Sequence, residues 1–199
     1  MELKNSETLK ILTRLFAGEC QDGAKYQYMA DTATTEKLSY VSTILKQLAT
    51  NEMAHAKVFY DYINEKCPGG VEMVEIKASY PMQMGSLEEL LKIEGENEKR
   101  QGEFVYPEFA RKMEKEGFDD IANKVKQIGK IEECHASVLN QLYKKISENK
   151  LYNFDKERKV KCFNCGHEEK LKKVWKKCPI CNKNQGFVKI NLEENSENV

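Results

Sequence analysis

The chain has 199 residues, of which 40% are hydrophobic and 32% are charged, so it is long enough for one ordinary globular domain with a small appendage. Its 32 Lys and Arg residues balance its 32 Asp and Glu residues. A formal net charge of zero gives no overall field that would attract nucleic acid or an anionic membrane surface. The polar N-terminal sequence MELKNSETLK and the lack of a long apolar run predict a cytoplasmic protein without a signal peptide or a membrane span.

Four stretches have the three- and four-residue spacing of apolar side chains that is typical of amphipathic helices. Three of them cover approximately residues 6–32, 36–65 and 118–147. The third stretch in chain order begins after Ser86, has inward-facing residues from Leu87 to Val105, and precedes a short turn at Gly117. Short turns join the first two stretches and the last two, whereas residues 66–86 form a long connection with few helical signals. The sequence therefore predicts an all-α four-helix bundle over residues 1–150, with the one long crossover of ferritin-like bundles.

Carboxylates and imidazoles interrupt the apolar face of each predicted helix. These residues are Glu19 in the first helix, Glu52 and His55 in the second, Glu98 in the third, and Glu132 and His135 in the fourth. A carboxylate in an apolar interior costs several kcal/mol unless it is paired, neutralised or bound to a metal ion. The two side chains of an ExxH pair share one helix face, so one of them can bridge two metal ions while the other binds a single ion.

The number of these residues favours a centre of two metal ions. Four carboxylates balance the charge of two divalent cations, and a mixture of imidazole and carboxylate without thiolate suits iron or manganese. A lone ExxH pair is more often a hydrogen-bonded part of the core. Two such pairs, together with glutamates on the other two helices, are far less frequent by chance, so we expect a di-metal site.

Four of the seven cysteines form two CxxC pairs, Cys162 with Cys165 and Cys178 with Cys181. Two CxxC knuckles can present four thiolates tetrahedrally to one ion, which by this criterion is iron or zinc. A thioredoxin-like redox motif would need only one pair, in a βαβ context that the sequence lacks. The uneven cysteine distribution suits a reducing compartment and a metal site better than a disulfide framework.

The region that contains these cysteines lacks helical periodicity and has many lysines and short apolar pieces such as GFVKI. We predict a small second domain over residues 157–191. The acidic, polar segment 192–199 is predicted to be a disordered tail.

Taken together, several motifs resemble those of the rubrerythrin family. The matching stretches are FAGECQ around Glu19, NEMAHAK around Glu52 and His55, YPEFARKMEKEGFDDIA from Tyr106, IEECH around Glu132 and His135, and the CxxC pairs with their spacer. The resemblance covers nearly the whole chain. It implies a ferritin-like bundle with a non-haem di-iron centre, followed by a small rubredoxin-like β domain with one iron in four thiolates.

The resemblance also implies an activity, which is the reduction of hydrogen peroxide to water in the oxidative-stress defence of an anaerobic or microaerophilic microbe. Electrons would come from NAD(P)H through a separate reductase or a rubredoxin and would enter at the tetrathiolate iron. They would then pass to the di-iron site, typically across the interface of a homodimer or a larger homo-oligomer.

Each polar residue of the bundle takes a role by the same resemblance. Two carboxylates would bridge the irons, and each iron would receive one further carboxylate and one imidazole. The bridging residues are Glu52 and Glu132, the ligands of one iron are Glu19 and His55, those of the other are Glu98 and His135, and the tyrosines near the cluster are Tyr26 and Tyr106.

The third helix departs from the family pattern, which has two glutamates three residues apart. Glu98 takes the first position, but Gln101 takes the second, and a neutral amide cannot replace a carboxylate that exchanges with imidazole at ferric iron. A register change within EGENEKRQGEF could instead bring Glu94, Glu96 or Glu103 inward. Of these three, Glu94 already lies on the apolar face, so it is the expected substitute.

Two other functions remain open. A ferroxidase or iron-handling protein would use the same bundle but would not need the C-terminal domain. A structural zinc ribbon that binds a partner through its lysine-rich spacer would leave the bundle as a scaffold. The tetrathiolate domain favours electron transfer, and therefore an oxidoreductase.

Overall fold

The computed structural model describes residues 2–193 and shows a helical bundle followed by a small β module. The helices are α1 (Glu7–Thr35), α2 (Ser39–Lys66), α3 (Leu87–Arg100), α4 (Tyr106–Lys115) and α5 (Asp119–Ser147), and a π-helical turn (Gln101–Val105) joins α3 to α4. The strands are β1 (Asn153–Lys161) and β2 (Glu168–Lys173). Two short 3₁₀ turns span Leu3–Asn5 and Gln185–Phe187. The predicted fold class is confirmed, because α3, the π-helical turn and α4 together form the third helix of a four-helix bundle. Within the described range, no helix is both long and apolar enough to cross a membrane.

The connections between helices fix the topology of the bundle. α1 packs along α2, and α3 packs along α5. Lys37 and Gly117 adopt positive φ angles of 63° and 84° in the short turns from α1 to α2 and from α4 to α5. Residues 67–86 form the long crossover, and a capping box of Ser86 with Glu89 begins α3.

The third helix contains a π-helical turn that the sequence analysis did not predict, and it continues through this turn to Lys115. A π-helical turn adds one residue to a helix and rotates the residues that follow it relative to those that precede it. Glu98 and Tyr106 are one residue further apart than two regular helical turns would place them, and both are nevertheless buried. The turn therefore keeps both halves of the helix facing the bundle interior.

A close crossing of two helices accompanies the π-helical turn. A Cβ atom at Gly102 would lie 2.5 Å from the carbonyl oxygen of Gly129 and 2.6 Å from Cγ of Glu133. A Cβ atom at Gly129 would lie 2.9 Å from Cβ of Tyr106. Side chains larger than glycine do not fit at these distances, so the two glycines set how closely the third helix approaches α5.

Two apolar clusters fill the bundle on either side of a central polar layer. One cluster includes Leu12, Phe59 and Met113, and the other includes Leu45 and Leu139. Each of the four bundle helices contributes residues to both clusters. The polar layer between them is consequently shielded from water at both ends.

The C-terminal module consists of β1 and β2, which pair antiparallel, and a small core of Val160, Val174 and Val188. It contacts the bundle near the turn between α1 and α2, where the Phe163 and Tyr40 rings lie 5.2 Å apart. This contact places the module at one end of the bundle, away from the central polar layer.

The predicted domain ranges, 1–150 and 157–191, stay predictions. β1 begins before residue 157, and Leu151 and Ile190 pack into the apolar cluster of the bundle that contains Leu45. Most of the predicted disordered tail, residues 194–199, lies outside the described residues.

We expect Gly102→Ala to lower the free energy of unfolding of the metal-free protein by about 1–3 kcal/mol, because the added methyl group overpacks a tight helix crossing. Gly18→Ala is the matched control, since a Cβ atom at that position meets Tyr80 Cε1 at an ordinary 3.7 Å. The control should gain about 0.5–1 kcal/mol through helix propensity. Urea unfolding followed by circular dichroism measures both values, and two changes of the same sign would contradict the tight crossing.

Candidate functional site

Six ionisable side chains from all four bundle helices converge in the central polar layer, and we call them the di-metal cluster. They are Glu19 of α1, Glu52 and His55 of α2, Glu98 of α3, and Glu132 and His135 of α5. All six are buried. Their ligand atoms fall into two groups of four, with every atom of a group within 4.8 Å of the others. Both groups include Glu52 and Glu132, which we call the central carboxylates.

The central carboxylates lie between the two histidines. His55 Nδ1 is 3.0 Å from Glu132 Oε1 and 3.1 Å from Glu52 Oε2. His135 Nδ1 is 2.8 Å from Glu52 Oε1 and 2.8 Å from Glu132 Oε2. Glu19 adds a third carboxylate near His55, with Oε2 at 3.4 Å from Nδ1. Each histidine is therefore within ion-pair distance of both central carboxylates.

These short distances do not amount to a satisfied hydrogen-bond network. Glu52 Oε1, both side-chain oxygens of Glu132 and Nδ1 of His135 have no partner in hydrogen-bond geometry among the described residues. Buried polar atoms are nearly always hydrogen-bonded, and leaving one unsatisfied costs about 1–3 kcal/mol. Ligand atoms that converge without hydrogen-bond geometry fit metal coordination, and the mixed carboxylate and imidazole set fits iron.

Burial controls the protonation of the outer carboxylates in the metal-free cluster. It raises the pKa of Glu19 and of Glu98 well above the ordinary value, and the charges of the central carboxylates raise both further. Burial acts in the same direction on Glu52, but the close contacts with His135 and His55 outweigh it and lower the pKa of Glu52 to about 2. Burial therefore favours the protonated form of the outer carboxylates, while Glu52 stays charged.

Both histidines carry a proton in the metal-free cluster. Burial alone would lower the pKa of His55, but contacts with three carboxylates, chiefly that of Glu132, raise it to about 12. Contacts with Glu132 and Glu52 likewise outweigh burial and raise the pKa of His135 to about 9. A metal ion binds neutral imidazole, so each histidine must release its proton when metal binds.

Of the two tyrosines that the sequence singled out, Tyr26 contacts the cluster directly. It is fully buried, and its hydroxyl donates a hydrogen bond to Glu98 Oε1. Tyr106 is also fully buried, but its hydroxyl has no hydrogen-bond partner among the described residues. The structure thus brings all eight predicted bundle residues to the central region, and their individual roles stay predictions.

A second buried group of charges lies between α1 and the third helix. Lys25 Nζ is 2.8 Å from Asp22 Oδ1 and 2.7 Å from Glu94 Oε2, and both carboxylates are buried. Gln101 Nε2 donates a hydrogen bond of 3.1 Å to Asp22 Oδ2. The sequence analysis missed Asp22 and Lys25, although Asp22 follows Glu19 at the three-residue spacing that keeps side chains on one helix face.

The expectation that Glu94 substitutes for a missing ligand is wrong, because its carboxylate pairs with Lys25 and lies outside the two groups of converging atoms. Glu96 and Glu103 are exposed, so neither turns toward the cluster. The third helix thus contributes one carboxylate to the di-metal cluster, that of Glu98.

The four cysteines of the CxxC pairs converge in the C-terminal module. Cys162 Sγ is 3.7 Å from Cys181 Sγ, and Cys165 Sγ is 3.7 Å from Cys178 Sγ. These distances are too long for disulfides. A tetrahedron with metal–sulfur bonds of about 2.3 Å has edges of about 3.8 Å, so the spacing fits one iron or zinc ion. The backbone N–H of Lys183 lowers the pKa of Cys181 to about 6, which favours the thiolate that a metal ion binds.

Fold and site together define a ferritin-like bundle with a two-metal carboxylate centre and an attached tetrathiolate module. The sequence profile of one family, Rubrerythrin, matches residues 10–143 and 89–174. The chain is 35% identical over 190 residues to the rubrerythrin of Clostridium perfringens (strain 13 / Type A). The matched region covers 94% of this chain and 96% of that protein. The chain is also 35% identical over 194 residues to Rubrerythrin-1 of Clostridium acetobutylicum, which covers 97% of this chain and 98% of that protein. The chain therefore belongs to the rubrerythrin family of di-iron oxidoreductases.

Solved structures of nigerythrin share the fold. The partially reduced state matches with a TM-score of 0.60 at 24% identity, and the fully reduced, all-ferrous state matches with a TM-score of 0.61 at 23% identity. Each match covers 94% of this chain and 90% of the nigerythrin chain. At this level of identity the comparison supports the architecture of bundle and C-terminal module.

We expect the affinity of the bundle for Mn²⁺ to rise steeply between about pH 6 and pH 8, because both imidazoles must lose a proton to bind metal. The apparent dissociation constant should fall by about tenfold per pH unit for each proton released. Electron paramagnetic resonance of free Mn²⁺ measures this dissociation constant. Because Mn²⁺ prefers oxygen ligands to thiolates, the cysteine site does not contribute to the titration. His55→Ala should reduce the pH slope by about one proton, and an affinity independent of pH would contradict the protonation pattern.

We expect Lys25→Met to lower the free energy of unfolding at pH 7 by about 3–5 kcal/mol, since two buried carboxylates lose their partner charge. Lys10→Met is the control, because it breaks an exposed pair with Glu7 at 3.0 Å and should cost less than about 1 kcal/mol. Burial raises the pKa of Asp22, so protonation should relieve part of the loss as the pH falls. Denaturant unfolding at about pH 7 and pH 5 tests this, and equal losses for the two variants would refute it.

Proposed function

We propose that this protein is a di-iron peroxidase that reduces hydrogen peroxide to water with electrons delivered through its tetrathiolate module. The proposal rests on the presence, in one chain, of a buried two-metal carboxylate cluster and a partly exposed four-cysteine site. A ferroxidase or iron-storing bundle has no use for the second site. Membership of an oxidoreductase family supports the same role, which we place in the cytoplasm of an anaerobe under oxidative stress.

The four-cysteine site is open on one side to an electron donor. Cys162 and Cys178 are buried, whereas Cys165 is exposed and Cys181 is half-buried. Ile180, between the last two cysteines, is 67% exposed, and Lys176, Lys177 and Lys183, which lie near it in the sequence, are exposed as well. An exposed apolar residue with nearby positive charges suits an acidic redox protein, so we propose a rubredoxin or an NAD(P)H-dependent reductase as the donor.

The separation of the two metal sites within one chain supports an assembly of two or more copies. The module contacts α2 at Tyr40, and the helix rises about 18 Å from Tyr40 to Glu52. A tetrathiolate module from a second copy could approach the cluster from the side instead. We therefore propose a homodimer or a larger homo-oligomer in which electrons pass from one chain to the other.

The overlap of the two groups of converging atoms supports the proposed ligand roles. The shared residues are proposed to bridge the irons, and the residues found in one group are proposed to bind one iron each. The bridges are Glu52 and Glu132, the ligands of the first iron are Glu19 and His55, and those of the second are Glu98 and His135.

When bound, two ferrous ions would supply the two electrons that split the O–O bond of peroxide. Formation of two water molecules also consumes two protons, so the residues around the cluster must hold protons near the substrate. Burial raises the pKa of Tyr26 well above the ordinary value, and the charge of Glu98 raises it further. Tyr26 therefore stays protonated, and its hydrogen bond keeps Glu98 oriented toward the cluster.

The experiment that tests the function begins with anaerobic reduction of iron-loaded protein until the red colour of the ferric thiolate site bleaches. One equivalent of hydrogen peroxide is then added. Fast return of the colour is expected, and Glu98→Gln should slow it by about a hundredfold or more, because an iron ligand is lost. Glu96→Gln is the matched control, since it changes an exposed glutamate of the same helix outside the cluster.

Cys178→Ser separates this function from the alternatives. The variant should keep peroxide-driven oxidation of the di-iron site but lose turnover with an external electron donor. Equal turnover with and without Cys178 would favour ferroxidase activity. A colourless wild-type protein with zinc in the cysteine site would refute electron transfer and favour a structural zinc ribbon.

A further inference from the structure

A cavity of about 120 Å³ leads from the surface to the di-metal cluster. It lies between α1, the crossover connection and the third helix, and Glu19 lines it together with Tyr80 of the connection and Tyr106 of α4. Glu19 is one of the proposed iron ligands. The cavity thus joins solvent to one face of the cluster.

The chemistry of the lining suits a small polar guest. Asp22 and Gln101 form part of the wall and are already held by their mutual hydrogen bond and by Lys25. Tyr106 also lines the cavity, and its buried hydroxyl has no partner among the described residues. A buried hydroxyl without a hydrogen-bond partner is costly. A guest molecule that accepts a hydrogen bond from this hydroxyl removes that cost.

Tyr80 determines how much room the cavity offers. Its ring lies over Gly18, with Cε1 3.7 Å from the position that a Cβ atom would take there. Its hydroxyl donates a hydrogen bond of 3.0 Å to the carbonyl oxygen of Arg14, which fixes the ring against α1. The aromatic ring is therefore held against α1 at the wall of the cavity, and we call it the roof.

The volume matches a peroxide rather than a bulky substrate. The cavity has room for several water-sized molecules. Hydrogen peroxide with one or two waters fits this space, whereas a hydroperoxide with an aromatic ring would have to displace Tyr80.

We propose that this cavity is the access and holding site for peroxide, with Tyr80 as the residue that excludes larger hydroperoxides and the Tyr106 hydroxyl as the donor that orients the guest beside Glu19. The inference rests on the proposed peroxidase function. It adds the route to the cluster and the residue that sets substrate size.

The first test compares kcat/KM for hydrogen peroxide and for cumene hydroperoxide in iron-loaded protein. Tyr80→Ala opens the roof and should raise the ratio of cumene hydroperoxide to hydrogen peroxide by at least about tenfold. Met84→Ala is the matched control in the same connection, because its side chain is 95% exposed and does not line the cavity. An unchanged ratio in Tyr80→Ala, with iron content equal to the wild type, would overturn the proposal.

The second test does not depend on turnover. Azide, a small anion that binds iron, is added to the oxidised protein, and its association rate is followed by absorbance. The rate should rise severalfold in Tyr80→Ala and fall severalfold in Tyr80→Trp, which fills the roof. Tyr106→Phe should weaken azide binding by about tenfold while the melting temperature stays the same or rises, since the lost hydroxyl had no protein partner.

The two tests keep the proposals separate. Wild-type protein that binds azide through this cavity but does not reduce hydrogen peroxide would refute the peroxidase function and retain the access route. Peroxide reduction with azide rates unaffected by both Tyr80 substitutions would refute the access route and retain the peroxidase function.

Discussion

The rest of the structure depends on the cost of holding six ionisable side chains in a dry interior. Isolated charged carboxylates are costly in such a place, so burial raises the pKa of Glu19 and of Glu98, and the charge of Glu52 is paired with two protonated histidines. Two divalent metal ions would balance the charge of the four carboxylates. The buried ligand atoms that lack hydrogen-bond partners in the metal-free cluster are therefore suited to bind metal ions.

The bundle meets this cost by enclosing the polar layer between two apolar clusters. Each helix contributes apolar side chains on both sides of its ligand, so the burial energy of the bundle is spread along the helices and the ligands sit at their middle. A dry site strengthens the interaction of the ligands with bound cations. It also requires a defined route for the substrate, and the cavity lined by Tyr80 is the route that we propose.

The third helix shows how a local irregularity serves the site. Its π-helical turn brings both Glu98 and Tyr106 to the interior, and the close approach of Gly102 to Gly129 holds the two halves of the helix against α5. The position that a second glutamate occupies in the family pattern holds Gln101, which bonds to Asp22 in the separate charged group around Lys25. The contribution of this helix to the cluster is consequently a single carboxylate with a tyrosine beside it.

The sequence by itself determined the features that depend on local spacing. The 3.6-residue period predicted the helices and the face that carries each ligand, and the CxxC spacing predicted the tetrathiolate module, because both arise from residues close together in the chain. Tertiary structure decided the features that depend on contacts between distant segments. Glu94 lies on the predicted inner face, yet it pairs with Lys25 across the α1–α3 interface, and no periodicity within α3 could indicate that partner. The π-helical turn and the roof formed by Tyr80 likewise follow from packing against other helices, whose approach distances are fixed only when the whole bundle has closed.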